Sequence, residues 1–324
     1  MRIARWGSQD ADLVEGFVMG EGVVPFPEGI TVATVLAGGL AKARALHNQV
    51  ADETATPLSD VRLLAPLAPA SVRDFVAFEE HVEGVSASVD GASHVADEWY
   101  EHPTFYFTNP HTILGPGDTL HPPVTERLDF ELEVAAVIGG GRANGSNLTE
   151  EEAASHIFGY TIMNDWSARD LQAREMKVRL GPAKGKDFGT ALGPWIVTAD
   201  EVDPFVGDDG FLALRAEVFV NGKLVGEDLL SNMGWSFPAL VAYASRNSRV
   251  LPGDVLGSGT IGNGGCLAEL WGRRTEAAPP PLTEGDIVTM SVECLGTLVG
   301  TVGTAVEAPP LRRAAPRPRT RRRT

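Results

Sequence analysis

Cysteine is scarce in this chain. Its 324 residues hold only Cys266 and Cys294, too few for a disulfide framework, which predicts a reducing, cytoplasmic setting. No apolar run reaches the roughly 18 residues of a membrane helix, so no membrane partner is expected. The opening MRIARWGSQDADLVEGFVMG is broken by charge and glycine and does not read as a signal peptide. H-E-x-x-H and C-x-x-C are both missing, which argues against structural or proteolytic zinc. The glycine run at 139–141 lacks the Lys-Ser/Thr ending of a phosphate loop. Gly257, Gly259 and Gly262 fit G-x-G-x-x-G, but the CLAEL that follows reads as a strand where a dinucleotide fold needs a helix. No nucleotide cofactor is therefore expected, and no internal repeat is evident.

The charge is strongly of one sign but unevenly placed. The net charge is −16, yet residues 308–324 (APPLRRAAPRPRTRRRT) carry seven Arg and no acid. Setting that tail aside leaves the body at −23. So acidic a body argues against nucleic acid as the main partner. The tail, 307–324, reads as disordered and solvated. A content of 43% hydrophobic and 22% charged residues is ordinary for a globular protein.

MRIARW and EGFVMGEGVVPFP predict short strands with glycine turns, and TVATVLAGGLAKARALHNQV predicts a helix weakened at Gly38-Gly39. VRLLAPLAPA leads into a proline-punctuated connection that suggests a domain boundary, with 1–68 a small N-terminal α+β domain and 69–306 a mostly β domain. Thr149 caps an expected helix with acids in its first turn, ahead of the apolar GYTIM run.

The informative stretch is LDFELEVAAVIGG, residues 128–140. In an extended strand Leu128, Phe130, Leu132 and Val134 share one face, while Asp129, Glu131 and Glu133 share the other. That alternation fits a half-solvated strand. Yet Val134–Ile138 is apolar on both faces, as buried strands are, and carboxylates entering such a core need a compensating cation. Three other places collect chemistry-bearing residues. RDFVAFEEHVEG places Asp74 and His81 seven apart, two turns along one face if the stretch is helical. MNDWSARDLQAREMKVRLGPAKGKDFGT brings Asp165, Arg169, Gln172, Lys186 and Thr190. GSGTIGNGGCLAEL brings Thr260 and Glu269.

Taken in order, LDFELEV, MNDWSARDLQ, GKDFGT, SGTIGNG and LAEL resemble the fumarylacetoacetate hydrolase family over residues 71 to about 303. The resemblance implies a mainly β, α+β fold, a mixed β-sandwich roll, and a homodimer. It implies a divalent cation on Glu131, Glu133 and Asp165, with Asp74 joining them seven residues before a catalytic His81. It places Glu269 as the histidine's carboxylate partner, Lys186 and Gln172 beside the departing carbanion, and Arg169, Thr190, Thr260 and Tyr106 among the substrate contacts. An all-carboxylate set is a hard oxygen cage suited to Mg²⁺, Ca²⁺ or Mn²⁺, and a cation there would polarise a substrate carbonyl.

Departures accompany the matches. The tyrosine that the hydrolase proper carries two residues after the metal aspartate is Val76 here, and the tyrosine four residues beyond the lid glutamine is Met176. Its substrate-binding arginine after the histidine is missing, with Asp90 or a small neighbour in that region. The expected activity is metal-dependent hydrolysis of a C–C bond in a β-diketone or acylpyruvate whose acyl end is less polar than that of fumarylacetoacetate. The alternative is a decarboxylase or isomerase acting on a 2-oxo acid such as oxaloacetate.

Overall fold

The computed structural model describes the chain apart from residues 8–12, 91–92, 142–143, 274–278 and 315–324, and apart from the side chains of 88–90. Of the expected tail, residues 307–314 are exposed and outside helix or sheet, and the rest lies outside the described residues, as does the Asp90 side chain.

The central strand Leu132–Ile138 is buried along its whole length, and its alternation divides two cores. Leu132, Val134, Ala136 and Ile138 face one cluster, while Ala135 and Val137 face another. The far side of the strand is therefore a second core rather than solvent, which decides between the half-solvated and buried alternatives. Flanking it are Ile157–Asp165 on one side and Val255–Gly257 on the other, both antiparallel. Val72–Phe75 and Phe105–Thr108 extend the sheet beyond Val255–Gly257, and Thr190–Thr198 extends it beyond Ile157–Asp165. Among the described residues the sheet has twelve strands.

A five-stranded sheet, ordered Lys223–Leu229, Arg215–Val220, Ile287–Val292, Gly296–Val302 and Thr119–Leu120, packs Ala216, Val218, Val288, Met290 and Leu298 into the first core. Alternating burial along Ile287–Val292 is the pattern of a sheet covered on one face. The two sheets form the mainly β sandwich that the resemblance implies.

The N-terminal segment follows the predicted order of two strands, a turn, a strand and a helix. Its strand Arg2–Gly7 pairs with Thr190–Thr198 in the large sheet, and Ile3, Phe17 and Leu36 share the second core with Val137, Phe158 and Ile196. Packing is therefore continuous across the expected boundary at 68/69, with apolar side chains of residues 1–68 buried against the central strands. The helix Val32–Gln49 opens on a Thr31 capping box and breaks at Gly39, whose φ is +71°. The Thr149 cap forms as expected, though its helix stops at Ala154.

Two local expectations are corrected. Asp74 and His81 do not share a helical face: Asp74 lies in the strand Val72–Phe75, the chain turns through Val76–Phe78, and His81 lies in the helix Glu79–Asp90. CLAEL is not a strand but the helix Leu267–Gly272, N-capped by the Cys266 sulfur. Leu, Ala and Glu are strong helix formers, but Cys is a rare cap, and so the start signal was hidden. The first amides of this helix are already taken, Leu267 N and Ala268 N donating to Asp129 at 2.8 and 2.9 Å. Those two amides are therefore not free to cradle a phosphate.

The helices bearing His81 and Glu269 pack in direct contact through Gly84. A Cβ built there would fall 2.3 Å from Glu269 Cγ and 3.2 Å from its Cα. Inside a helix Ala normally gains about 1 kcal/mol over Gly, but overpacking a close contact costs about 1–3 kcal/mol. Gly84→Ala is therefore expected to lower the unfolding free energy in urea; a gain in stability would show that the two helices do not depend on this approach.

Candidate active site

Four carboxylates converge at one end of the central strands. Asp74, Glu131, Glu133 and Asp165, all buried, place one oxygen each within 4.8 Å of one another. Strand register explains the convergence: Gly257 sits opposite both Asp74 and Ala135, and Glu133 opposite Met163. Only glycine fits between them, because a Cβ at Gly257 would lie 2.7 Å from both Asp74 Oδ1 and Glu133 Oε2.

Two cations share this site. Lys186 Nζ bonds Glu131 and lies 2.6 Å from Asp165 Oδ2. Arg169 Nη2 lies 2.7 Å from both Glu131 Oε1 and Asp129 Oδ2. Much of Arg169 is spoken for by Asp129, a fully buried acid that also accepts from the Phe130 amide and from the start of the Leu267–Gly272 helix. The cluster is therefore short of positive charge. In keeping with that, no donor among the described residues reaches Asp74 Oδ1, Glu133 Oε1 or Asp165 Oδ1. Three orphaned oxygens in one all-oxygen cluster fit a hard divalent cation.

His81 stands beside the cluster, its ring Nδ1 3.7 Å from Cys266 Sγ and its ligand atom within 4.8 Å of one from Glu131. Tyr106 faces Asp74 across the sheet and donates its hydroxyl to Asp165. Two cavities open on the site. One of about 460 Å³ reaches His81, and one of about 200 Å³ reaches Tyr106 and Lys186.

A family model described as fumarylacetoacetate (FAA) hydrolase, C-terminal, matches residues 70–303. The chain belongs to the fumarylacetoacetate hydrolase family. A fumarylacetoacetase of Arabidopsis thaliana is 31% identical over 291 residues, covering 74% of this chain and 68% of that protein. An oxaloacetate tautomerase of Bacillus subtilis is 30% identical, covering 76% of this chain and 74% of that protein. Among solved structures, a fumarylacetoacetate hydrolase from Exiguobacterium antarcticum superposes with a TM-score of 0.71 at 26% identity, over 94% of this chain and 99% of that one. This chain is accordingly an enzyme of that family.

Within the family frame, the structure brings Asp74, Glu131, Glu133, Asp165, Lys186, Arg169, Tyr106 and His81 together. Gln172 joins through its Oε1, which accepts from Arg169 at 3.2 Å. Thr190 pairs with Asp165 across the sheet, its Oγ1 buried and without a partner among the described residues, and Thr260 is buried in the loop after Gly257. Arg169 and Tyr106, expected as substrate contacts, are held by the carboxylates. Their bonds are long-range pairings that local spacing does not reveal.

The expected hydrogen bond between His81 and Glu269 is not formed. Glu269 Oε1 accepts from the Gly264 amide at 3.2 Å and pairs with Arg273 at 2.7 Å, and its burial, opposed by Arg273, pushes its carboxyl up to about 7. Cys266 takes the place beside the imidazole. From the sequence Cys266 is only a disulfide candidate, and its position three residues before Glu269 is the signal that it lies near the site. Met176 ends its helix about half exposed and lines neither cavity, so of the two apolar replacements only Val76 reaches the site.

Burial and then Asp165 push Asp74 well above the usual carboxylate range, and burial and then Asp74 do the same to Glu133. Burial would also raise Glu131, but Arg169 and Lys186 outweigh it and hold it below that range. Groups raised on folding stabilise the protein fully below their unfolded pKa of about 4 and lose that contribution as pH climbs through the folded values. Glu131 has the opposite sign, its contribution being full above its unfolded pKa of about 4 and lost as pH falls below that. Added Mg²⁺ or Mn²⁺ should therefore raise the melting temperature more at pH 8 than at pH 5.5, and Gly257→Ala should suppress the rise by wedging the cluster apart. An equal rise at both pH values, or in the variant, would count against a cation on these carboxylates.

Proposed function

We propose that the enzyme is a divalent-metal-dependent hydrolase that cleaves a C–C bond in an acylpyruvate or related 1,3-dicarbonyl, with Mg²⁺ or Mn²⁺ as its ion. The observation that carries this reading is the all-carboxylate cluster with three orphaned oxygens, set beside a buried imidazole that opens onto a substrate-sized cavity. Asp74, Glu131, Glu133 and Asp165 would hold the ion. When bound, it would act as a Lewis acid on the substrate's oxygens and stabilise an enolate.

The chain's own groups supply the rest. Burial lowers the His81 imidazole to about 4, against the opposing pull of Glu131, so it is neutral at pH 7 and able to accept a proton from water. The hydroxide adds to the distal carbonyl carbon, the C–C bond breaks, and its electron pair passes to the enolate carbon. Lys186 keeps its charge because Asp165 and Glu131 outweigh the effect of burial, and it stands where it can steady that anion. Arg169 positions Gln172 and Glu131 around the same point.

One observation favours a second reading, tautomerisation or decarboxylation of a 2-oxo acid such as oxaloacetate. His81 has no hydrogen bond to Glu269, the carboxylate expected to orient it, and a tautomerase is among the chain's relatives at 30% identity. Enolate chemistry of that kind needs no attacking water.

Assays of acylpyruvates and oxaloacetate in H₂¹⁸O with added metal separate the two. Hydrolysis places ¹⁸O in a carboxylate product, and His81→Gln should lose about 10²–10⁴-fold in kcat while retaining metal. With the imidazole displaced downward, kcat/KM should hold as pH falls through 6.5 and give way nearer 4. Unlabelled product, or His81→Gln at the wild-type rate, would hand the site to the second reading.

A further inference from the structure

We propose that the substrate's distal acyl end is an uncharged, apolar group, alkyl or aryl, seated in the cavity of about 460 Å³ beyond His81, and that a second terminal carboxylate is rejected there. This rests on the acylpyruvate reading only for the identity of the reacting end.

The walls of the cavity are Val76, Val82, Val85, Ala96 and the indole of Trp99. Among the described residues its lining comes from 76–104, and the chain contains no Lys or Arg from residue 74 to residue 126. The same 76–104 stretch carries the acids Glu79, Glu80, Glu83, Asp90, Asp97, Glu98 and Glu101. Glu98 itself lines the cavity and is exposed.

Of the other polar groups of the wall, the Trp99 indole and the Ser86 hydroxyl are already engaged, and the Thr104 hydroxyl is uncharged. Trp99 Nε1 donates to the Val76 carbonyl at 2.6 Å, so the indole offers its ring rather than a donor. The Ser86 hydroxyl donates to the Glu83 carbonyl and accepts from the His94 amide. The site's cations lie on the cluster side, where Lys186 is held by Glu131 and Asp165, and Arg169 by Asp129 and Glu131. A carboxylate pushed past His81 would lie against apolar walls with no Lys or Arg from the 76–104 stretch to pair with it and with Glu98 repelling it. An apolar group would only leave water. The polarity of the site is thus one-sided, with the charged 2-oxo acid end toward Lys186 and an apolar end toward Trp99.

The test uses a chain-matched pair of 2-oxo acids, 2-oxooctanoate and 2-oxooctanedioate, titrated calorimetrically into the Mn²⁺-loaded protein. Alongside it, kcat/KM is measured for 2,4-dioxodecanoate and 2,4-dioxodecanedioate. The monoacid is expected to bind about 100-fold more tightly, with a similar ratio in kcat/KM. Val85 lies one helical turn from His81 on the same face, so Val85→Lys should narrow the gap at least about tenfold by supplying the missing charge. Should that variant fail to fold, the wild-type pair decides alone. Equal or tighter binding of the diacid, or no binding of either acid, overturns the proposal. If neither dioxo acid is cleaved while the monoacid still binds more tightly, the cleavage reading fails and the cavity assignment stands. If both are cleaved equally well and bind alike, the assignment fails and the cleavage reading stands.

Discussion

The constraint on which this structure turns is a buried excess of negative charge. Asp74, Glu131, Glu133 and Asp165 converge where water is excluded, against one lysine and part of one arginine. Unpaired charge in such a place is costly, and the fold meets it in three ways. It draws Lys186 and Arg169 inward from a glycine-rich loop and a helix. It pushes Asp74 and Glu133 toward their neutral forms. It leaves oxygens without donors, where a cation fits.

Much of the surrounding architecture serves that convergence. Gly257 lets the strands of Asp74 and Glu133 face each other without a side chain between them. Asp129, on the same face of the chain as Glu131 and Glu133, ties Arg169 to the start of the Leu267–Gly272 helix and so carries Cys266 to His81. The second core, to which the N-terminal strands and helix contribute, backs the central strand from the side opposite the five-stranded sheet. Residues 1–68 therefore support the site without supplying any of the residues assigned to it.

The polarity of the site follows from where cations were placed along the chain. Positive side chains reach it from 169 and 186, while the 76–104 stretch that walls the larger cavity has none. On the proposed reading the cluster residues would act on the oxo-acid end, while the 76–104 segment would supply both His81 and the wall that reads the other end. Such a division lets one metal-enolate apparatus host different substrates by changes confined to one segment.

The amino-acid sequence by itself determined the family, the alternation of LDFELEV, the capped start at Thr149 and the four carboxylates, because these reside in local pattern and in ordered motifs. It also implied that Glu131 and Glu133 needed positive charge, a consequence of placing acids at the mouth of an apolar strand. It did not reveal which cations answer, since Lys186 and Arg169 reach Glu131 only once strands distant in sequence have paired. The CLAEL helix escaped because its cap is a cysteine and its amides are satisfied by Asp129, more than a hundred residues away. For the same reason the resemblance implies Glu269 as the partner of His81, whereas the packing of two helices at Gly84 decides which side chain meets the ring. The sequence also joined Val76 and Met176 as parts of one pocket, and only the tertiary structure separated them, leaving Val76 in the cavity wall and Met176 at an exposed helix end. Local pattern is set by bonds along the chain, whereas contact, burial and the pairing of charges are set by which distant segments the cores bring together.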